Sequence, residues 1–156
     1  MSRVTHSAAM IGEIHEASRN HLLREDGQED ICFGLWFPSQ GRSRISALVR
    51  ELILPLPGER HIHGNASFEP AYLQRALTLA TAQGAALALL HSHPGSRRWQ
   101  RMSKDDIATE HGIAPSVFGA TKLPLVGMTL AGDQTGALGS GCDQRRELTK
   151  SSIAER

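Results

Sequence analysis

The sequence predicts an α/β fold, a mixed β-sheet flanked by helices, on three observations. Residues 85–90, Ala-Ala-Leu-Ala-Leu-Leu, are apolar without interruption, which marks a strand buried on both faces, as in the centre of a layered sheet. Before them, Leu73, Ala76, Leu77 and Ala80 recur at the i, i+3, i+4, i+7 spacing of an amphipathic helix. Two more apolar runs, residues 31–37 and 45–54, flank the turn segment Ser39-Gln40-Gly41-Arg42 and read as a hairpin.

In chain order, residues 7–23 read as a helix with Met10, Ile14 and Ala17 on one stripe, closed by Asp26-Gly27. The first strand, residues 31–37, ends at Pro38, and residues 45–54 form the second. Residues 55–67 are rich in Pro, Gly, His and Asn and read as a loop. The helix over 69–83 ends at Gly84. The apolar strand 85–90 follows, then a short helix over 103–111 ended by Gly112 and a last strand over 123–131. These elements make one domain over residues 7–133. Residues 134–156 are Gly-rich, then charged, with little apolar patterning, and are expected to be a poorly structured tail.

Bulk properties narrow the function. A chain of 156 residues can bury a sizeable core. With 17 basic and 16 acidic side chains, neither nucleic acid nor an anionic membrane is the default partner. Cys32 and Cys142 lie far apart without metal or redox spacing, and Cys32 reads as a small buried hydrophobe. The N-terminus lacks a basic region followed by an apolar run. No stretch approaches the roughly 20 apolar residues of a membrane span, so a soluble, cytoplasmic protein is expected.

The chemistry concentrates in His91-Ser92-His93-Pro94, followed by Ser103 and Asp106. Side chains at i and i+2 on a strand share a face, so both imidazoles can converge on one metal. Asp106 can add a carboxylate oxygen from the following loop or helix. Three protein ligands leave a fourth tetrahedral position open, the feature that separates a catalytic zinc site from a closed structural one. Ser103-x-x-Asp106 also has the form of a capping box, and both roles fit together if a helix N-terminus presents the carboxylate. Asp105 is the rival ligand, one residue away.

These residues resemble the JAB/MPN metalloproteases, also called JAMM proteases, whose signature is a glutamate followed far downstream by His-x-His-Pro and Ser-x-x-Asp. The matching positions here are Glu29, then His91, His93 and Pro94, then Ser103 and Asp106. Residues 94–102 make a longer spacer than the family's usual one, a difference cheap in closure entropy. Gly64-Asn65-Ala66-Ser67-Phe68 and Trp99-Gln100-Arg101-Met102-Ser103 look like the bacterial branch associated with ubiquitin-activating-type enzymes. The likeness spans roughly residues 7–133.

The resemblance implies a JAB/MPN, cytidine-deaminase-like domain and zinc-dependent hydrolysis of a peptide or isopeptide bond, with Zn2+ on His91, His93 and Asp106. It implies that Glu29 is the general base and acid, and that Ser103 donates to the tetrahedral intermediate. The implied substrate is a ubiquitin-like protein or its conjugates, with an activating-type enzyme as a possible pathway partner. Asp30 alternates to the opposite face of the strand and is the weaker candidate base. MPN-type domains also occur as metal-free scaffolds that bind partner proteins, and this is the alternative reading.

Two motifs stay outside that scheme. His61-Ile62-His63 lacks a following Pro or Ser-x-x-Asp and is expected to line a substrate groove or to hydrogen-bond a ligand. Arg97, Arg98 and Arg101 surround Trp99, either holding a substrate tail with Trp99 as an apolar wall or forming a solvated loop; nucleic-acid binding is the weakest reading. A His-Glu-x-x-His helix is absent, because His15-Glu16 is followed by Arg19. Cys-x-x-Cys pairs, a Walker loop and a dinucleotide fingerprint are also absent.

Overall fold

The structure, a computed structural model, describes residues 5–40, 44–95 and 103–131. The expected tail over 134–156, Cys142, the arginines flanking Trp99 and the tip of the expected 39–42 turn lie outside the described residues.

The described chain forms a mixed five-stranded sheet with helices on both faces. Its elements run β1 (Thr5–Met10), α1 (Gly12–Leu22), β2 (Ile31–Gln40), β3 (Arg44–Ile53), β4 (Arg60–His63), β5 (Asn65–Phe68), α2 (Pro70–Gln83), β6 (Ala86–His93), α3 (Lys104–Thr121) and β7 (Val126–Ala131). The sheet order is β1-β3-β2-β6-β7. β1 runs parallel to β3 and β6 parallel to β7, while β2 is antiparallel to both its neighbours. β4 and β5 form a separate antiparallel hairpin.

The apolar run in β6 is buried on both faces, as its composition requires. Ala86, Ala88 and Leu90 pack with Cys32, Trp36 and Val49 against Leu22 and Ile14 of α1. Leu87 and Leu89 pack with Phe33 and Leu35 against Tyr72, Ala76 and Ala80 of α2 and Val117 of α3. Alternation carries His91 and His93 onto the second of these faces. Tyr72 is fully buried, and its hydroxyl donates to the Ile53 carbonyl while accepting from the Phe33 N–H. This bonding satisfies a polar tip that burial alone would penalise. No helix of the described residues is long and apolar enough to cross a membrane.

Several expected boundaries are corrected. The expected helix over 7–23 is a strand over Thr5–Met10 followed by a helix ending at Leu22. Ala8, Met10 and Ile14 all pack on the α1-side core, so an apolar spacing that looks helical spans a strand–helix junction. Pro38 does not end β2, because β6 pairs only up to Trp36 and the rest of β2 pairs with β3 alone. Proline is tolerated where one strand edge has no partner. The expected loop over 55–67 contains the β4–β5 hairpin, with Gly64 at its turn in the left-handed region, φ 91°.

The expected short helix over 103–111 runs on to Thr121, through Gly112 and Pro115. Proline removes one interior backbone bond, but packing of Ile113 and Val117 into the core carries the helix past it. The last strand begins at Val126, not at residue 123.

Candidate metal centre

His91 and His93 close the C-terminal end of β6, and Asp106 occupies the first turn of α3. The geometry of that turn follows from a complete capping box. Ser103 Oγ accepts the Asp106 N–H at 3.1 Å, and Asp106 Oδ2 accepts the Ser103 N–H at 2.8 Å. The box satisfies two N-terminal donors of α3 and fixes the carboxylate against the end of β6.

Asp106 Oδ2 lies 3.1 Å from His91 Nε2 and 3.4 Å from His93 Nε2. The two imidazole centroids are 5.0 Å apart, in an edge arrangement. Donor atoms of all three residues fall within 4.8 Å of one another, a grouping that can hold a metal ion. Ligand atoms about 2.0–2.1 Å from one tetrahedral ion are separated by about 3.3–3.4 Å, so the two carboxylate–imidazole distances fit a shared ion. Among the described residues this is the one group of three or more His, Cys, Asp or Glu side chains that meets this test. Asp105 is exposed, and Asp106 is the residue brought to the histidines.

Burial pushes the Asp106 carboxyl up, but the His91 imidazole and the hydrogen bonds from Ser103 outweigh it. Together they hold the group well below the usual carboxylate range. The acid is therefore ionised at neutral pH, as a ligand must be.

Glu29 stands just ahead of β2, where Ile31 pairs with His91. It lines two clefts. One also contains His91, Asp106, Ile31, Phe68 and Leu89; the other contains His93 and Ser103 with Gly27, Gly64 and Gly95. The hairpin tip holds the segment in place. The Glu29 N–H donates to the Gly64 carbonyl at 3.3 Å, and the Gly64 N–H donates to Gln28 Oε1 at 2.9 Å.

Asp30 is buried and does not line either cleft. Its Oδ1 accepts the Ile31 N–H at 2.7 Å. Its carboxylate also lies 3.1 Å from Arg60 Nε and 3.5 Å from Arg24 Nη1. The Arg60 Nε–H finds no aligned acceptor, so that contact is an ion pair and not a hydrogen bond. Arg60 thereby ties the hairpin to the segment that carries Glu29.

His61 and His63 sit on β4 and do not join the metal group. The His61 imidazole lies 2.6 Å from Glu69 Oε1, and the His63 ring lies 3.3 Å from Ser67 Oγ. Neither histidine lines the two clefts.

Sequence reasoning missed Thr129, whose Oγ1 lies 3.2 Å from His91 Nε2 in the core. Its signal is faint: it is the one hydroxyl in Val126–Ala131, and only the β6–β7 register places it opposite His91. No protein-family model matches the chain, and no curated protein matches its sequence.

Proposed function

We propose that the chain is a zinc-dependent metallopeptidase of the JAB/MPN type. In this reading it hydrolyses a peptide or isopeptide bond at the C-terminus of a ubiquitin-like protein, in a cytoplasmic pathway that also contains an activating-type enzyme. The observation that carries the reading is the convergence of His91, His93 and Asp106 beside the clefts lined by Glu29. The sheet with helices on both faces is compatible with it.

Two imidazoles and a carboxylate are a donor set that zinc takes. A zinc ion on these residues supplies Lewis acidity toward the scissile carbonyl and lowers the pKa of a water. Glu29 takes a proton from the attacking water on its carboxylate and later delivers it to the departing amine. Ser103 Oγ already accepts the Asp106 N–H, which leaves its O–H free to donate to the developing oxyanion. Removing one such donor costs about 10²–10³ in rate in comparable sites.

The test is cleavage of a ubiquitin-like domain fused through its C-terminus to a reporter. Wild type cuts at the domain boundary, chelation stops it, and Glu29→Gln retains zinc without cutting. A zinc-loaded wild type that leaves every such fusion and conjugate intact overturns the hydrolase reading in favour of a binding scaffold.

A further inference from the structure

The two clefts lined by Glu29 differ in chemistry. The cleft on the His93 side is walled by Gly27, Gly64 and Gly95 together with Ser103. A Cβ on any of these glycines would meet no other atom within 4 Å, so that side is open and its glycine wall is backbone. The cleft on the His91 side is a pocket of about 210 Å³ with apolar walls from Ile31, Ala66, Phe68 and Leu89. Thr109 of α3 stands at its exposed margin.

The apolar pocket is a built feature. Phe68 packs edge-on against Phe33 with centroids 5.2 Å apart, and against Tyr72 at 6.4 Å. Both of those rings are fully buried, so the wall is backed by the core.

We propose that this pocket is the subsite for the residue whose amine departs, and that it receives an aliphatic or aromatic side chain. The inference rests on the hydrolase reading and adds to it the class of bond that is cut. The direction follows from Ser103. Its hydroxyl belongs to the oxyanion of the acyl half, and it lines the glycine-walled cleft. The acyl half therefore enters on the His93 side, and the leaving half continues past His91 into the apolar pocket. Glu29, shared by both clefts, lies where the amine takes its proton.

The test uses zinc-loaded protein and ubiquitin carrying a C-terminal extension whose first residue is Leu, Phe, Ala or Asp. Leu and Phe are expected to be released at least about tenfold faster, by kcat/KM, than Ala or Asp, the scale on which apolar pockets discriminate. Thr109→Phe and Ala66→Phe narrow the pocket and move the preference toward Ala. Thr109 is exposed, so its variant tests the idea even if Ala66→Phe does not fold. A second readout needs no turnover. Leucinamide, but not glycinamide, shifts the methyl resonances of Ala66, Ile31 and Leu89 saturably, and Thr109→Phe weakens this.

Cleavage with no preference at the leaving residue, or a preference on the acyl side only, overturns the subsite and leaves the hydrolase standing. Saturable leucinamide binding without cleavage of any extension leaves an apolar binding pocket and overturns its role as a leaving-group subsite together with the hydrolase reading. Equal responses to leucinamide and glycinamide, without cleavage, remove both.

Discussion

Asp30 and Ser92 are joined by two reciprocal hydrogen bonds. The Asp30 N–H donates to Ser92 Oγ at 3.0 Å, and the Ser92 N–H donates to the Asp30 carbonyl at 3.2 Å. Ser92 separates the two histidines of the metal group, and Asp30 follows Glu29. A single pairing between β6 and the start of β2 therefore sets the candidate base and both imidazoles in one frame, from the opposite face of the sheet.

Replacing Ser92 with Ala leaves the buried Asp30 N–H without its acceptor. An unsatisfied buried donor costs about 1–3 kcal/mol, so urea unfolding of Ser92→Ala should show a loss in that range. A change within error would mean that the pairing contributes nothing to the frame.

Asp30→Asn removes the charge facing Arg60 and Arg24. Breaking a fully buried pair costs about 3–5 kcal/mol, but these arginine side chains are 25% and 28% exposed. Solvent screening brings the expected loss nearer to about 2 kcal/mol. Chemical denaturation reads it, and a variant as stable as wild type contradicts the account of the hairpin tie.

Substitution can separate the cap that Ser103 makes from its proposed oxyanion role. Ser103→Ala loses the cap and about 1 kcal/mol of stability, whereas Ser103→Gly loses only a few tenths. Both lack the hydroxyl, so both should fall by about 10²-fold in turnover of a cleaved fusion. Activity that tracks stability across the pair would remove the oxyanion role.

Cys32 is buried, and that burial pushes its thiol well above the usual range, with the Asp30 carboxylate adding to the effect. The thiolate is the reactive form. Cys32 should therefore stay unmodified by a thiol reagent at pH 8 in the native protein and react on unfolding, as peptide mapping would show. Rapid native labelling at Cys32 would contradict the packing described.

The parts of the fold legible in the sequence are those written in local pattern. The continuous apolar run of β6 and the spacing of Leu73, Ala76, Leu77 and Ala80 in α2 need no distant partner to be read. The shared strand face of His91 and His93 and the capping box of Ser103 and Asp106 were also legible as local motifs, whereas the approach of Asp106 to the histidines, which the resemblance implied, depends on how α3 packs against β6. What escaped depends on partners far along the chain. β1 exists through its pairing with β3, and the hairpin strands are four residues each, in a segment whose Gly and His content reads as loop. The length of α3 depends on Ile113 and Val117 packing into the core beyond two helix breakers. Thr129 meets His91 only through the β6–β7 register.

Zinc titration of chelator-stripped wild type and of His93→Ala tests the central claim most directly, with bound metal counted by elemental analysis. The account predicts about one equivalent held by wild type and none by His93→Ala, since the group that can hold the ion is His91, His93 and Asp106. Wild type that binds no zinc, or a His93→Ala protein that binds it equally well, would contradict it.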